Sequence, residues 1–366
     1  MHQIENLLEI ANQILEAKGL RATSCKVTQN LWAGYGTISE LQAIPSSDSN
    51  ANPQPLVMKC VTPPTKNEQD EGYLRKLISY EVEQYFYSEL AASLPAGTGV
   101  SQCLGTSTHG LGEQKSMTMI LTDLRLRYPV AGEKRTELSD AQAYAALTWL
   151  ANFHGFWWKQ RKSFTQASLR LAPLEETRRP KRDDGGSVWL NGGYSYLATR
   201  KKEYASLKAN AEESEWSRKL CKPLSPSGKS FAELVAFVLS PAEPSEQASP
   251  FETLVHGDVK PENLFTSAAH DRVAFFDFQY VGIGLGVSDL AKFMTCSVLQ
   301  ATLTEAVLGS GGEERLRMGQ GERRILEHYH TIIQEVSGLG YPWELMVLHW
   351  STALVDWLRF QASWGE

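Results

Sequence analysis

The chain is 366 residues long, 42% apolar and 21% charged, with a formal net charge of −6. That length supports two domains or one large two-lobed unit with full cores. The acidic balance excludes a generic nucleic-acid binder, which presents a basic surface, and no apolar run approaches the ~20 residues that span a bilayer.

Residues 1–19 are expected to form an amphipathic helix, with Leu7, Leu8, Ala11, Ile14 and Leu15 at helical spacing and Gly19 placed to end it. Its Glu5, Glu9 and Glu16 are foreign to a secretory signal. Residues 26–44 read as strand, turn, strand, with Gly34 and Gly36 in the turn. The polar stretch 46–55 is an exposed hairpin loop, and an apolar strand follows over 56–61. A helix is expected over 74–94, with strands near 100–106 and 115–122. Ser139 or Asp140 is placed to cap a helix reaching Trp158, and residues 165–250 read as helices broken by polar, proline-rich stretches, the last at 240–250.

Strands first and helices later predict an α+β, bilobal fold. The small N-lobe, residues 1–122, is an antiparallel sheet plus a helix, and the larger, mainly helical C-lobe, 123–366, carries an insertion at about 165–250. The cysteines Cys25, Cys60, Cys103, Cys221 and Cys296 are dispersed without a CxxC pair. An odd, scattered set fits a reducing, cytoplasmic compartment and neither a disulfide framework nor a zinc site.

The densest chemistry lies in Leu254-Val-His-Gly-Asp-Val-Lys-Pro-Glu-Asn-Leu-Phe265. An apolar strand delivers Asp258 into a loop, and Asn263 follows just before apolar residues resume. Asp277 sits in a second strand, Arg272-Val-Ala-Phe-Phe-Asp-Phe278, and the turn 266–271 lets the strands form a hairpin that brings Asp258, Asn263 and Asp277 to one edge. Phosphoryl transfer needs such a group: one carboxylate to orient and deprotonate a hydroxyl, and oxygen ligands for Mg²⁺. Asp258 is read as the base, Asn263 and Asp277 as magnesium ligands, and Lys260 as a cation for the transferred phosphate.

Lys59 stands inside the apolar strand 56–61, where an unpaired ammonium is costly. Glu83 shares a helical face with Phe86, Tyr87 and Leu90, whereas Glu81 aligns with Gln84, Tyr85 and Ser88. Lys59 and Glu83 therefore satisfy each other best.

The motif H-G-D-x-K-P-x-N resembles the catalytic loop of the aminoglycoside phosphotransferase and choline kinase superfamily, relatives of protein kinases. Asp277-Phe-Gln279 and Gly286-Val-Ser-Asp-Leu-Ala-Lys-Phe293 are most similar to its ecdysteroid-kinase-like (CHK) branch, as is the E-x-x-F-Y order from Glu83 to Tyr87. The resemblance implies a protein-kinase-like fold, ATP and Mg²⁺ as cofactors, and transfer of phosphate to a small-molecule hydroxyl acceptor. It implies Asp258 as base, Asn263 and Asp277 at the metal, and Asp289 as a buttress of the loop. The Lys59–Glu83 pair would position the α- and β-phosphates. Gly34 and Gly36 fall where kinases cover the phosphates, and backbone groups from Leu121 to Asp123 fall where they meet adenine.

A protein kinase is opposed by Gly257 in place of arginine, by Gln279 after Asp277-Phe278, and by the lack of an Ala-Pro-Glu segment. A pseudokinase acting as a nucleotide-binding scaffold would not need the full catalytic set. Gly228-Lys-Ser230 is no phosphate loop, because Pro223 stands where its partner glycine belongs. His154 reads as a core histidine. Trp343, Trp350, Trp357 and Trp364, spaced by seven, read as helix packing ahead of an aromatic ligand wall.

Overall fold

The computed structural model describes residues 2–64, 70–109, 116–165, 168–179, 186–210, 212, 214–224, 226, 228–240, 249–304 and 318–364, with 2–5 by backbone alone. Lys115 of the expected fifth strand and residues 241–248 of the proline-rich stretch lie outside them.

Helix α1 (His2–Leu15) runs through a short 3-10 turn and ends on Gly19 in the left-handed conformation, φ 65°. Strands β1 (Leu20–Asn30), β2 (Gly36–Pro45), β3 (Gln54–Val61), β4 (Cys103–His109) and β5 (Ser116–Thr122) form an antiparallel sheet in the order β1-β2-β3-β5-β4. Strand β1 begins at Leu20, ahead of the expected residue 26. It is an edge strand with mostly exposed side chains, so no apolar alternation marks its start.

The pleat of β3 sorts its residues between two faces. Leu56, Met58 and Cys60 join Leu7, Ala11 and Leu15 of α1 in one cluster. On the other face Val61 packs with Tyr73 and Tyr80 of helix α2 (Glu71–Tyr85), and Lys59 points the same way. Asp70 caps α2 by accepting the Tyr73 N–H at 2.8 Å, so the helix starts before the expected Leu74. It continues as a π-turn over Phe86–Leu90. Gly36 at the β1–β2 turn has φ 135°, and a Cβ there would lie 2.0 Å from the Cys60 carbonyl oxygen.

Beyond β5 the chain is mainly helical: α3 (Asp140–Lys159), α4 (Pro173–Glu176), α5 (Lys201–Ala209), α6 (Glu215–Cys221), α7 (Phe231–Leu239), α8 (Gly286–Ser297), α9 (Gln300–Leu303), α10 (Gln320–Ser337) and α11 (Trp343–Trp364). Ser139 caps α3 in a reciprocal capping box with Gln142. Its buried Leu147, Leu150, Phe153 and Trp157 pack with Val82, Phe86 and Phe278 in the main core.

Two small sheets carry the stretch around Asp258. Strand β7 (Glu252–Val255) pairs with β10 (Gly282–Leu285), and β8 (Leu264–Thr266) lies between β6 (Val130–Ala131) and β9 (Val273–Phe275). The expected hairpin is thus β8–β9, while the strand that delivers Asp258 pairs elsewhere. Asp277 is not in a strand: β9 stops at Phe275, and Asp277 has φ 66°, which the ladder cannot accommodate. Among the described residues, no helix is long and apolar enough to cross a membrane.

Candidate active site

The loop after β7 is held by its backbone. Asp289, near the start of α8, accepts the N–H of His256 at 2.7 Å and of Gly257 at 2.9 Å. It also meets His154 Nε2 at 3.1 Å, and His154 Nδ1 meets the Tyr329 hydroxyl at 2.9 Å. Both histidines are fully buried. His256 Nε2 donates to the Phe276 carbonyl at 3.0 Å and its Nδ1 accepts the Asp258 N–H at 3.2 Å. Burial pushes His256 below its ordinary pKa against the pull of Asp289, in keeping with that neutral tautomer. Gly257 has φ 84°, and a Cβ there would lie 2.2 Å from the Tyr280 carbonyl oxygen. This close approach explains why glycine stands before Asp258.

Asp258 is buried, and both its carboxylate oxygens are engaged. Lys292 of α8 reaches Oδ1, while Oδ2 meets Lys260 Nζ at 3.1 Å and accepts from Asn263 Nδ2 at 3.0 Å. Burial raises its proton affinity, but Lys292 and Lys260 outweigh that and hold the carboxyl below the ordinary range. Asn263 Nδ2 also donates to the Asp258 carbonyl at 2.9 Å, which commits its NH₂ and turns its amide oxygen away from Asp258. Phe276 N donates to the Asn263 carbonyl at 3.0 Å, so Asp277 follows directly beside it.

Lys59 Nζ lies 2.6 Å from Glu83 Oε2 and 3.3 Å from Asp277 Oδ1. Burial disfavours the charged lysine, but Glu83 and Asp277 more than compensate and keep it protonated. Glu81 instead pairs with Arg170 at 3.3 Å. Phe278 stacks on Phe86 at 3.9 Å, clamping the segment after Asp277 to the helix that carries Glu83.

Asp258, Lys260 and Asp277 open onto a cleft of about 610 Å³, whereas Lys59, Glu83 and Asn263 lie behind its lining. Gly34, Gly36, Leu121 and Asp123 do not line it. Leu121 packs into the main core, and the Asp123 carboxylate is taken by Arg125 at 2.7 Å.

Several cleft residues escaped the sequence reading. The segment 189–194 runs along β10 and the loop that carries Asp258, with Gly192 N donating to the Ile283 carbonyl at 2.8 Å and Tyr194 N to the Gly257 carbonyl at 2.7 Å. Tyr194 thereby enters the cleft, followed by Arg200. Lys292 was legible by the argument that found Lys59: it is a lysine between Leu290, Ala291 and Phe293, one turn after Asp289. The tryptophan stripe divides. Trp350 is buried and donates to Glu322 at 2.7 Å, whereas Trp364 is 53% exposed and lines the cleft. A seven-residue repeat drifts ~20° per heptad around a straight helix, so its members need not share one face.

A search of curated proteins finds no match. Among solved structures, an aminoglycoside-3'-phosphotransferase of type VIII is similar at 15% identity, with 96% of this chain and 98% of that one covered and a TM-score of 0.40. A macrolide 2'-phosphotransferase from Brachybacterium faecium is similar at 11% identity, with 100% and 94% covered and a TM-score of 0.47. A choline kinase from Cryptosporidium parvum is similar at 10% identity, with 99% and 88% covered and a TM-score of 0.44. The model of the ecdysteroid kinase-like family matches residues 39–307, most of the chain and all of the constellation around Asp258, and the chain belongs to that family.

Proposed function

We propose that this protein transfers the γ-phosphate of ATP to a hydroxyl group of a small molecule, with Asp258 as the base. One observation carries the reading: Lys59 joins Glu83 at 2.6 Å and Asp277 at 3.3 Å, beside a loop on which Asp258 and Asn263 are 3.0 Å apart. A lysine paired to a helix glutamate, next to an Asp/Asn/Asp set, is what phosphoryl transfer requires. Family membership supports the same chemistry.

Residues 1–122 act as the nucleotide-binding lobe and 123–366 as the catalytic and acceptor lobe. Lys59, oriented by Glu83, takes the α- and β-phosphates. The turn with Gly34 and Gly36 covers them, and the backbone from Leu121 to Asp123 meets adenine. The oxygen donors of Asn263 and Asp277 suit Mg²⁺: the amide oxygen turns away from Asp258, and the Asp277 side chain is 29% exposed. Bound there, the metal would neutralise phosphate charge. Lys260, 30% exposed, is free to leave Asp258 for the transferred group, while buried Lys292 stays and holds the base. Asp258 then orients the acceptor hydroxyl and receives its proton. The five free cysteines suit a reducing, cytoplasmic compartment.

The test is Mg²⁺-dependent ATP-to-ADP conversion against pooled small hydroxyl compounds, with Asp258→Asn as control. Turnover with one pool should fall about 10²- to 10⁴-fold in the variant while nucleotide binding persists. Undiminished turnover in Asp258→Asn would overturn the assignment of the base.

A further inference from the structure

The cleft is rich in aromatic rings, and an aromatic enclosure ordinarily attracts a cationic ligand to its open π-faces. Here the protein's own cations already sit at those rings. The Arg200 guanidinium lies 3.8 Å from the centroid of Tyr194 and 5.3 Å from that of Trp364. Lys292 Nζ lies 4.9 Å from Tyr194. Across the cleft, Lys76 lies 5.4 Å from Trp32, 5.9 Å from Tyr35 and 5.5 Å from Tyr80. An ammonium entering either cluster would meet a like charge at the ring it needs.

The remaining charges point the same way. Five basic side chains line the cleft, Arg75, Lys76, Lys134, Arg200 and Lys260, against the carboxylates of Asp70, Asp258 and Asp277. Each carboxylate has a partner: Asp258 has Lys292 and the more exposed Lys260, Asp277 has Lys59, and Asp70 accepts the Tyr73 N–H at the cap of α2. The cations are not all committed. Arg75 and Arg200 share Glu203, at 3.2 and 3.0 Å, whereas among the described residues Lys76 and Lys134 have no carboxylate within ion-pair distance. Burial pushes Lys76 below its ordinary pKa against the pull of Asp277, with Lys59 adding to the push and Glu83 and Asp258 opposing it. Lys76 sits at Trp32 and Tyr35 beside the turn assigned to the phosphates, whereas Arg200 and Trp364 come from the C-terminal helical part, at the start of α5 and the end of α11.

We infer that the acceptor is a hydroxyl compound with a flat apolar body and an anionic group, and that cationic amino alcohols are disfavoured. This rests on the kinase reading above for the word acceptor, but the charge preference of the cleft stands by itself as a binding property.

The test uses three matched alcohols on the full chain: para-(hydroxymethyl)benzoate, para-methylbenzyl alcohol and para-(aminomethyl)benzyl alcohol. Their dissociation constants are measured by ligand-observed NMR. The benzoate should bind about tenfold more tightly than the ammonium compound, and added salt should shrink the gap. Lys76→Gln and Lys134→Gln, made separately, should each weaken the benzoate and leave the ammonium compound unchanged or better bound. Equal behaviour of the three probes, including no binding by any, or a preference for the ammonium compound, would overturn the inference. Phosphorylation is scored separately: the expected binding order without transfer to any alcohol, here or in the pooled library, would count against the kinase reading alone.

Discussion

Lys59 and Lys292 are the two buried lysines among the described residues, one on a strand and one on a helix, and they are neutralised in different settings. Lys59 faces Glu83, whose side chain is 3% exposed, and reaches the more open Asp277 second. Lys292 faces Asp258, which also holds Lys260 and Asn263. Removing Lys59 leaves Glu83 buried with no lysine, whereas removing Lys292 leaves Asp258 with two partners. The first lysine is thus bound up with folding and the second with the geometry of Asp258, the proposed base. An ammonium in an apolar element has an obligatory partner, and the partner's other contacts decide what its loss costs.

The largest expected effect breaks the first pair. Lys59→Met should destabilise the protein by about 3–5 kcal/mol in urea titrations, because it strands a buried carboxylate. Adding Glu83→Leu should recover much of that loss, and a double variant no more stable than Lys59→Met would show the pair is not coupled. Lys292→Met should lose less stability but lower kcat by about 10²-fold through misplacement of Asp258, with the KM for ATP unchanged. Lys292→Arg should restore part of kcat, and a change confined to KM would contradict a positioning role.

Asp289→Ala sharpens the comparison by disturbing the loop from below. Two backbone N–H groups lose their acceptor, at about 1–3 kcal/mol for each one left unsatisfied, and kcat should fall together with stability. Ser139→Ala is the control on a remote element: loss of the α3 cap should cost about 1 kcal/mol in thermal unfolding, with kcat per folded molecule unchanged.

Much of the site was legible because it is local or periodic. Asp258, Asn263 and Asp277 fall within one short stretch, so their proximity follows from a loop and a hairpin. Lys59 stood out because period-two burial leaves no room for a bare charge, and Glu83 because period 3.6 placed it, and not Glu81, on the apolar face. The fold class followed from the order of strands and helices. The same reasoning put Asp277 in a strand, since an apolar run does not reveal the residue at which φ turns positive.

By itself, then, the sequence determined the α+β order, the pairing partner of Lys59 and the residue types of the loop around Asp258, because each is written in spacing along one segment. Only the tertiary structure decided that Lys292 reaches Asp258, that Tyr194, Arg200 and Trp364 form a wall beside it, and that this wall already carries positive charge. Those contacts join segments far apart in the chain, and no periodicity records which irregular stretch will cross another.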